Sequence, residues 1–403
     1  MADVRAALAH VEAATPPGRD RALDGLRALA LCSVPAGHWL LGGFVREADG
    51  ALSNASPLGT YDFLAPLSWG LQLLGVFFLV GGYASALSLR RCRDRGETVA
   101  EWLSSRLLRL GRPVLGVAAV WAALVPVLSW LGVPGTTLRT AAVLVVQPLW
   151  FVGVYAAVTA LTPWCLRAAR RYGVWSAVVL CLPVAAVDAV RYGPWAEAAP
   201  EWLGLLNLLP GWLFGYQLGV VWRERGLDGR ACAGLVAGGG VLFAVLLWRF
   251  DYPASMVGVP GQQRTNSHPP SLLVPALAAV QGGLAVLLRA PLGRLLARPA
   301  LWAPTAVLNL AAMTVLCWHQ SALLALALPG AAFGAVPGLT EAPCTPGWVL
   351  ARLAWLPVLV CTLVVLGRLT HRFEPPWRGT GRARKAMAGA LAVAFALYAF
   401  AVV

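Results

Sequence analysis

The stretch Arg21-Ala-Leu-Asp-Gly-Leu-Arg27, followed after ten further residues by His38, determines how the rest of the chain is interpreted. In an α-helix an arginine and a histidine eleven positions apart share one face, separated by roughly 16 Å along the axis. No charged residue lies between them. The pattern predicts a membrane helix with an arginine near one end and an imidazole deep inside, and ionisable groups there are functional candidates. Alternatively, Arg27 only reaches toward lipid headgroups and His38 makes an ordinary polar contact.

The composition is that of a polytopic membrane protein. The 403 residues are 59% hydrophobic and 12% charged, with a mean hydropathy of +0.68. The net charge of +14 comes from arginines between apolar runs. We therefore assign it to membrane topology, and expect a lipid bilayer and no nucleic acid as partner. Eight cysteines without a C-x-x-C pair indicate neither disulfides nor a zinc site, and no metal is expected.

The hydropathy pattern predicts an all-α polytopic membrane protein with eleven spans. The predicted spans are 23–45, 66–89, 113–131, 139–163, 174–190, 202–222, 231–249, 271–288, 302–328, 348–367 and 385–402. With the N-terminus in the cytoplasm, only six of the 32 lysines and arginines fall outside, as the positive-inside rule requires. We expect a multi-pass protein of the cell membrane. Residues 1–20 would be a cytoplasmic tail, 21–370 the membrane domain, and 371–403 a basic linker with an additional C-terminal helix.

A basic segment between the second and third spans suggests an anion site. The spacing of Thr98-Val-Ala-Glu101 is that of a capping box and predicts a short helix, ended by Gly111-Arg112-Pro113. Arg106 and Arg109 lie three residues apart and would share one side of this helix. Paired guanidiniums suit phosphate oxygens. The alternative is a collar of positive charge that only sets the topology.

Other elements carry polar groups into or beside the membrane. The second span ends in Gly75-Val-Phe-Phe-Leu-Val-Gly-Gly82, whose paired glycines predict the close approach of another helix. The ninth span contains His319, for which a core histidine bonded to a backbone carbonyl is the alternative to a site residue. Asp188 and Arg191 are predicted to form a surface ion pair. His268 is assigned to an outer loop rather than to catalysis.

Taken together and in order, these elements resemble the membrane acyltransferase-3 family, the bacterial integral-membrane O-acyltransferases. The matching elements are Asp24-Gly-Leu-Arg27 with His38, Phe77-Phe78 through Gly82, Arg106 with Arg109, Leu149-Trp150-Phe151, and Trp318-His319. The resemblance covers roughly residues 20–370 and implies a core of about ten helices, to which the last span adds one. The family usually has serine where this chain has Gly81, so any role of that hydroxyl is lost.

The resemblance implies transfer of an acyl group from cytoplasmic acyl-CoA to a hydroxyl of a glycan or a small-molecule acceptor such as a secondary metabolite. His38 would act as general base, or attack the thioester itself to give an acyl-imidazole. Arg27 would orient the site or stabilise negative charge. Arg106 and Arg109 would hold the coenzyme phosphates, and His319 would assist His38 or position the acceptor.

Two alternatives remain open from the sequence. A transporter or exporter of a lipid or small molecule would also need many spans and embedded polar groups, although no inverted repeat is evident. An acyltransferase-like scaffold with other chemistry, for instance on a prenyl or polyketide substrate, is the second.

Overall fold

The computed structural model describes residues 2–194, 196–262, 264–373, 386 and 390. Within them the α-helices are α1 (Ala2–Ala13), α2 (Arg21–Leu41), α3 (Ala65–Leu71), α4 (Leu74–Asp94), α5 (Val99–Trp130), α6 (Gly135–Val146), α7 (Trp150–Ala160), α8 (Thr162–Tyr172), α9 (Trp175–Val178), α10 (Cys181–Tyr192), α11 (Leu208–Arg225), α12 (Gly229–Arg249), α13 (Leu273–Leu287), α14 (Arg289–Leu295), α15 (Pro299–Leu310), α16 (Ala312–Ala332) and α17 (Pro346–Thr370). Short 3₁₀ turns are Pro57–Gly59, Asp62–Leu64, Gln147–Leu149, Ala196–Ala198, Glu201–Asn207 and His371–Phe373. Strands β1 (Gly43–Arg46) and β2 (Leu52–Ala55) form one antiparallel hairpin.

The protein is an all-α polytopic membrane protein, as the sequence predicts. Eight helical segments of the described chain are long and apolar enough to cross a membrane, and the bent pair α13–α14 would make nine. These nine correspond to nine of the predicted spans. The predicted span 385–402 lies outside the described residues.

Helix α2 corresponds to the first predicted span but is not among the segments that satisfy the length and hydropathy criteria. Asp24, Arg27 and His38 lower its hydropathy, and it is packed against α4, α14, α15 and α16 within the bundle. A helix surrounded by other helices can carry polar groups that lipid would not tolerate. The predicted end at residue 45 was wrong, because the helix ends at Leu41 and the chain continues into β1.

Helix α5 begins as predicted and ends much later. The Thr98 side chain accepts a hydrogen bond from the Glu101 backbone nitrogen, and the Glu101 carboxylate accepts one from the Thr98 backbone nitrogen, so the capping box is formed. The predicted break at Pro113 was wrong, because the helix continues to Trp130. A proline within a membrane helix is tolerated when neighbouring groups satisfy the freed backbone. Arg106 and Arg109 therefore belong to the first turns of a membrane helix.

The contact between α4 and α11 depends on glycine, as the paired glycines predict. A Cβ at Gly82 would collide with the carbonyl oxygen of Tyr216, and a Cβ at Gly219 would collide with that of Leu79. The two backbones therefore lie as close as small residues permit. Phe78, Trp212 and Tyr216 pack beside this contact in the main hydrophobic core.

The predicted surface ion pair of Asp188 was wrong. Asp188 is 1% exposed, and its carboxylate accepts hydrogen bonds from Asn207 Nδ2 at 2.8 Å, Tyr252 Oη at 3.0 Å and the Leu272 backbone nitrogen at 2.7 Å. Tyr252 and Leu272 stand at the two ends of the loop between α12 and α13. The i,i+3 spacing to Arg191 could not reveal this, because the three donors come from distant parts of the chain.

Candidate active site

His38 lies near the C-terminal end of α2. The helix is started by Asp20, whose side chain accepts a hydrogen bond from the Leu23 backbone nitrogen at 3.1 Å. Trp39, the residue after His38, donates a hydrogen bond from its indole nitrogen to the backbone carbonyl of His319 at 3.0 Å. This bond ties the end of α2 to α16.

The structure brings the two predicted membrane histidines together. The Nε2 atom of His319 lies 3.2 Å from the Nδ1 atom of His38. The side-chain amide of Gln320 lies 2.7 Å from the same Nδ1 atom. His319 is completely buried, whereas His38 remains partly exposed. His38 is therefore the member of the pair that a ligand can reach.

The surroundings of His319 fix which nitrogens carry protons. Its Nδ1 atom lies 3.1 Å from the carbonyl oxygen of Val315 and 2.9 Å from that of Leu316, and both oxygens can only accept. Nδ1 of His319 is therefore protonated, and in an uncharged ring its Nε2 accepts. In the His38 tautomer that carries its proton on Nδ1, His38 donates to His319, and the Gln320 amide is turned so that its oxygen rather than its nitrogen faces His38. In this tautomer the second nitrogen of His38, Nε2, keeps its lone pair.

His38 lines a cavity of about 270 Å³. Its wall contains the end of α2, the β-hairpin, the start of α4, the turn before α7, and the loop between α12 and α13. Polar lining residues are Ser33, His38, Asn54, Ser56, Gln72, Gln147, Thr265, Ser267, His268 and Gln320. Trp150 and Phe151 add an aromatic surface. The wall thus combines converging polar side chains with apolar and aromatic surface, as small-molecule sites do.

Arg27 lies toward the other end of α2, away from this cavity. Its Nε atom donates to the side-chain oxygen of Asn309, and its guanidinium is 4.0 Å from the carboxylate of Asp24. Asn309 in turn donates to the Asp24 backbone carbonyl at 2.8 Å. Arg27 also lies within electrostatic range of Tyr155 and Arg106. Arg27 does not line the His38 cavity. The two predicted site residues of α2 therefore do not share that cavity.

Arg106 and Arg109 are one turn apart on α5. Arg106 donates to the hydroxyl of Ser88, and its guanidinium lies 5.3 Å from the ring centroid of Trp102. Arg109 is exposed. Neither arginine is among the residues that line the His38 cavity. An anion held by this pair would therefore be on the Arg27 side of the molecule.

The space beside Gly81 is filled by Tyr155. A Cβ at Gly81 would lie 2.8 Å from Cε2 of Tyr155 and 3.1 Å from its hydroxyl. A side chain at residue 81 would therefore have to displace the Tyr155 ring, whose hydroxyl reaches this place from α7.

Four polar residues of the site could not be assigned from the sequence. Gln320 contacts His38, Asn309 holds Arg27, and His268 lines the cavity. Arg352 is completely buried on α17 and donates to the Gly42 carbonyl at 3.0 Å, which closes the end of α2. Of these four residues, only Gln320 could have been suspected from the sequence, because it directly follows His319. The others are joined to the site by contacts across long sequence separations.

The fold and the site together define a multi-pass membrane protein with a pair of hydrogen-bonded histidines at a small polar cavity. Residues 20–367 match the model of the acyltransferase-3 family, which is described as an acyltransferase domain. The chain belongs to this family and is a membrane acyltransferase in general terms. Searches of curated proteins and of solved structures gave no match.

Proposed function

We propose that the protein transfers an acyl group from cytoplasmic acyl-CoA to a hydroxyl of a glycan or small-molecule acceptor, with His38 as general base. The observation that carries this proposal is the hydrogen-bonded pair of His38 and His319 at a cavity. Membership of an acyltransferase family supplies the reaction class. The imidazole pair supplies the group that this reaction needs to remove a proton.

The chemistry follows from the tautomer of His38. The acceptor hydroxyl attacks the thioester carbonyl carbon, so that a C–O bond forms as the C–S bond breaks. Nε2 of His38 takes the hydroxyl proton and passes it to the departing thiolate, which leaves as free coenzyme A. His319 accepts the Nδ1–H bond of His38 throughout and holds the ring in the tautomer that can act as base.

The donor is proposed to bind at the opposite end of α2. Arg106 and Arg109 would hold the coenzyme phosphates, since adjacent guanidiniums bind phosphate oxygens with charge-assisted hydrogen bonds. The arm of the coenzyme would pass Arg27 and cover the roughly 16 Å between Arg27 and His38 along the helix. The positive charge of Arg27 would then face the polar part of the donor.

The proposed orientation places the N-terminus in the cytoplasm of a cell-membrane protein. The basic segment of α4 and α5 then faces the cytosolic donor, in agreement with the positive-inside rule. The His38 cavity faces the outer side. On this basis the acyl group crosses most of the bilayer within the protein, and the acceptor meets it from outside.

Purified protein with acetyl-CoA and a panel of hydroxyl-bearing acceptors tests this proposal. Acyl transfer predicts the release of free thiol that depends on the acceptor, together with an acceptor heavier by one acetyl group. A transporter would move its substrate across vesicle membranes without changing its mass. Unmodified passage without thiol release would contradict the proposed function.

A further inference from the structure

The loop between α12 and α13 is a fixed part of the cavity wall. Asp188 binds both of its ends, through Tyr252 and the backbone of Leu272. Within the loop, the Asn266 amide donates to the carbonyls of Pro253 and Ser255 at 2.6 and 2.8 Å. Buried hydrogen bonds of this kind restrict the conformations that a loop can adopt.

Two hydrogen bonds join this loop to α3. The Ser68 hydroxyl accepts from the Met256 backbone nitrogen at 2.9 Å, and the Trp69 indole donates to the Ala254 carbonyl at 2.6 Å. The loop is thus attached to α3 as well as to α10. These bonds fix the position of the loop. The loop in turn places the side chain of His268 in the cavity wall.

His268 has one ring nitrogen without a partner. Its Nε2 atom is buried and makes no hydrogen bond to any residue that the structure describes. Its ring packs edge-on against Trp150, with centroids 4.3 Å apart, and Nδ1 is 3.4 Å from the Ser267 hydroxyl. Buried polar atoms without partners are rare in native proteins and need an explanation.

The environment of His268 also keeps its ring uncharged. Burial, together with a smaller effect of the positive charge on a protonated His38, lowers the pKa of His268 to about 4. The ring is therefore neutral at pH 7. Its free nitrogen can form one hydrogen bond with a hydroxyl group, as donor or acceptor according to the tautomer. His268 and His38 both line the same small cavity.

We propose that this loop completes an acceptor subsite in which His268 binds a second hydroxyl of the acceptor while His38 deprotonates the first. The inference rests on the proposed function and narrows its substrate to a ring that carries neighbouring hydroxyls. The cavity of about 270 Å³ is at the lower limit of roughly 300–1,000 Å³ for drug-sized ligands, so one ring fills it. Trp150 and Phe151 give the cavity aromatic surface against which such a ring can pack.

The test compares three acceptors with acetyl-CoA as donor: cyclohexanol, trans-1,2-cyclohexanediol and methyl glucoside. For the wild type, kcat/KM should be about tenfold higher for the two polyols than for cyclohexanol, as expected for one additional hydrogen bond. In His268→Ala this preference should disappear while the KM for acetyl-CoA stays unchanged. His268→Gln should restore part of it, because an amide can also bind a hydroxyl. His371→Ala, an exposed histidine at the end of α17, is the matched control.

Two results would overturn the inference. One is a wild-type enzyme that uses cyclohexanol as well as the polyols. The other is a His268→Ala variant that keeps the wild-type preference.

Failure of the proposed function is distinguishable from failure of the subsite. If wild-type protein releases no thiol with any acceptor, acyl transfer fails, and the subsite is then judged by binding alone. Methyl glucoside should raise the unfolding temperature of the wild type and of His371→Ala, but not that of His268→Ala. The absence of any stabilisation by methyl glucoside would overturn the subsite. Unfolding temperatures without ligand show whether each variant is folded.

Discussion

The Nδ1 atom of His38 lies 3.2 Å from the Nε2 atom of His319, although 281 positions separate the two residues in sequence. The backbone carbonyls of α16 place the proton of His319 on Nδ1, so Nε2 of His319 offers an acceptor to Nδ1 of His38. In the proposed mechanism this contact leaves Nε2 of His38 as the nitrogen that acts as base. The predictions below follow from this pair and from the contacts that support it.

Replacing His319 should reduce turnover without weakening acceptor binding. His319→Gln loses the ring that accepts from His38 and bonds to the carbonyls of Val315 and Leu316. We expect kcat to fall by about tenfold or more, since part of the acid–base contribution depends on the orientation of His38. The KM for the acceptor should not change. Steady-state kinetics check this prediction, and an unchanged kcat would mean that His319 is only a core histidine.

Replacing Arg106 should raise the amount of donor that the enzyme needs. Arg106→Ala removes one of two adjacent guanidiniums, and we expect the KM for acetyl-CoA to rise by about tenfold, the value of one charge-assisted hydrogen bond. Arg95→Ala is the matched control, because Arg95 is exposed and already paired with Glu97. Equal KM values for both variants and the wild type would leave Arg106 with a topological role only.

Replacing Gly82 should destabilise the bundle. Gly82→Ala forces α4 and α11 apart at the Tyr216 carbonyl, and we expect a loss of about 1–3 kcal/mol from overpacking. Thermal unfolding in detergent measures it. Gly234→Ala on α12 is the control, because open space surrounds that position and alanine favours a helix by up to about 1 kcal/mol. A Gly82→Ala variant as stable as the control would show that the contact can relax.

Replacing Asp188 should free the loop that carries His268. Asp188→Ala leaves the donors of Asn207, Tyr252 and Leu272 without their acceptor, at a cost of about 1–3 kcal/mol for each buried group. We expect a lower unfolding temperature and faster proteolysis within the loop.

The exposed Glu201 provides the control for Asp188, as Glu201→Ala removes a carboxylate from the same end of the molecule. Loop cleavage at the wild-type rate in Asp188→Ala would show that the loop is held by its other bonds alone.

The sequence predicted those features that depend on local pattern. Nine of the predicted spans match segments long and apolar enough to cross a membrane, because hydropathy is a property of each segment by itself. The capping box of Thr98 and Glu101 and the close approach at Gly82 were also predicted correctly, since each depends on a few neighbouring residues.

The features that the sequence could not predict depend on packing between distant segments. Pro113 does not end α5, and Asp188 is a buried acceptor rather than a surface charge. His268 is in a loop as predicted, but nothing in its neighbourhood indicates that the loop folds over the His38 cavity. Helix geometry predicted that Arg27 and His38 share one face of α2. Helix geometry alone did not reveal that Arg27 contacts Asn309 and that only His38 lines the cavity.

The most direct measurement is the mass of the product formed by membranes that contain the wild type, His38→Ala or His371→Ala. The account predicts that wild type and His371→Ala form the same acceptor product, heavier by one acyl group. His38→Ala should be present in the membrane at equal amount but should form at least about 100-fold less of it. Acylation by His38→Ala at a rate close to that of the wild type would contradict the account and remove His38 from the mechanism.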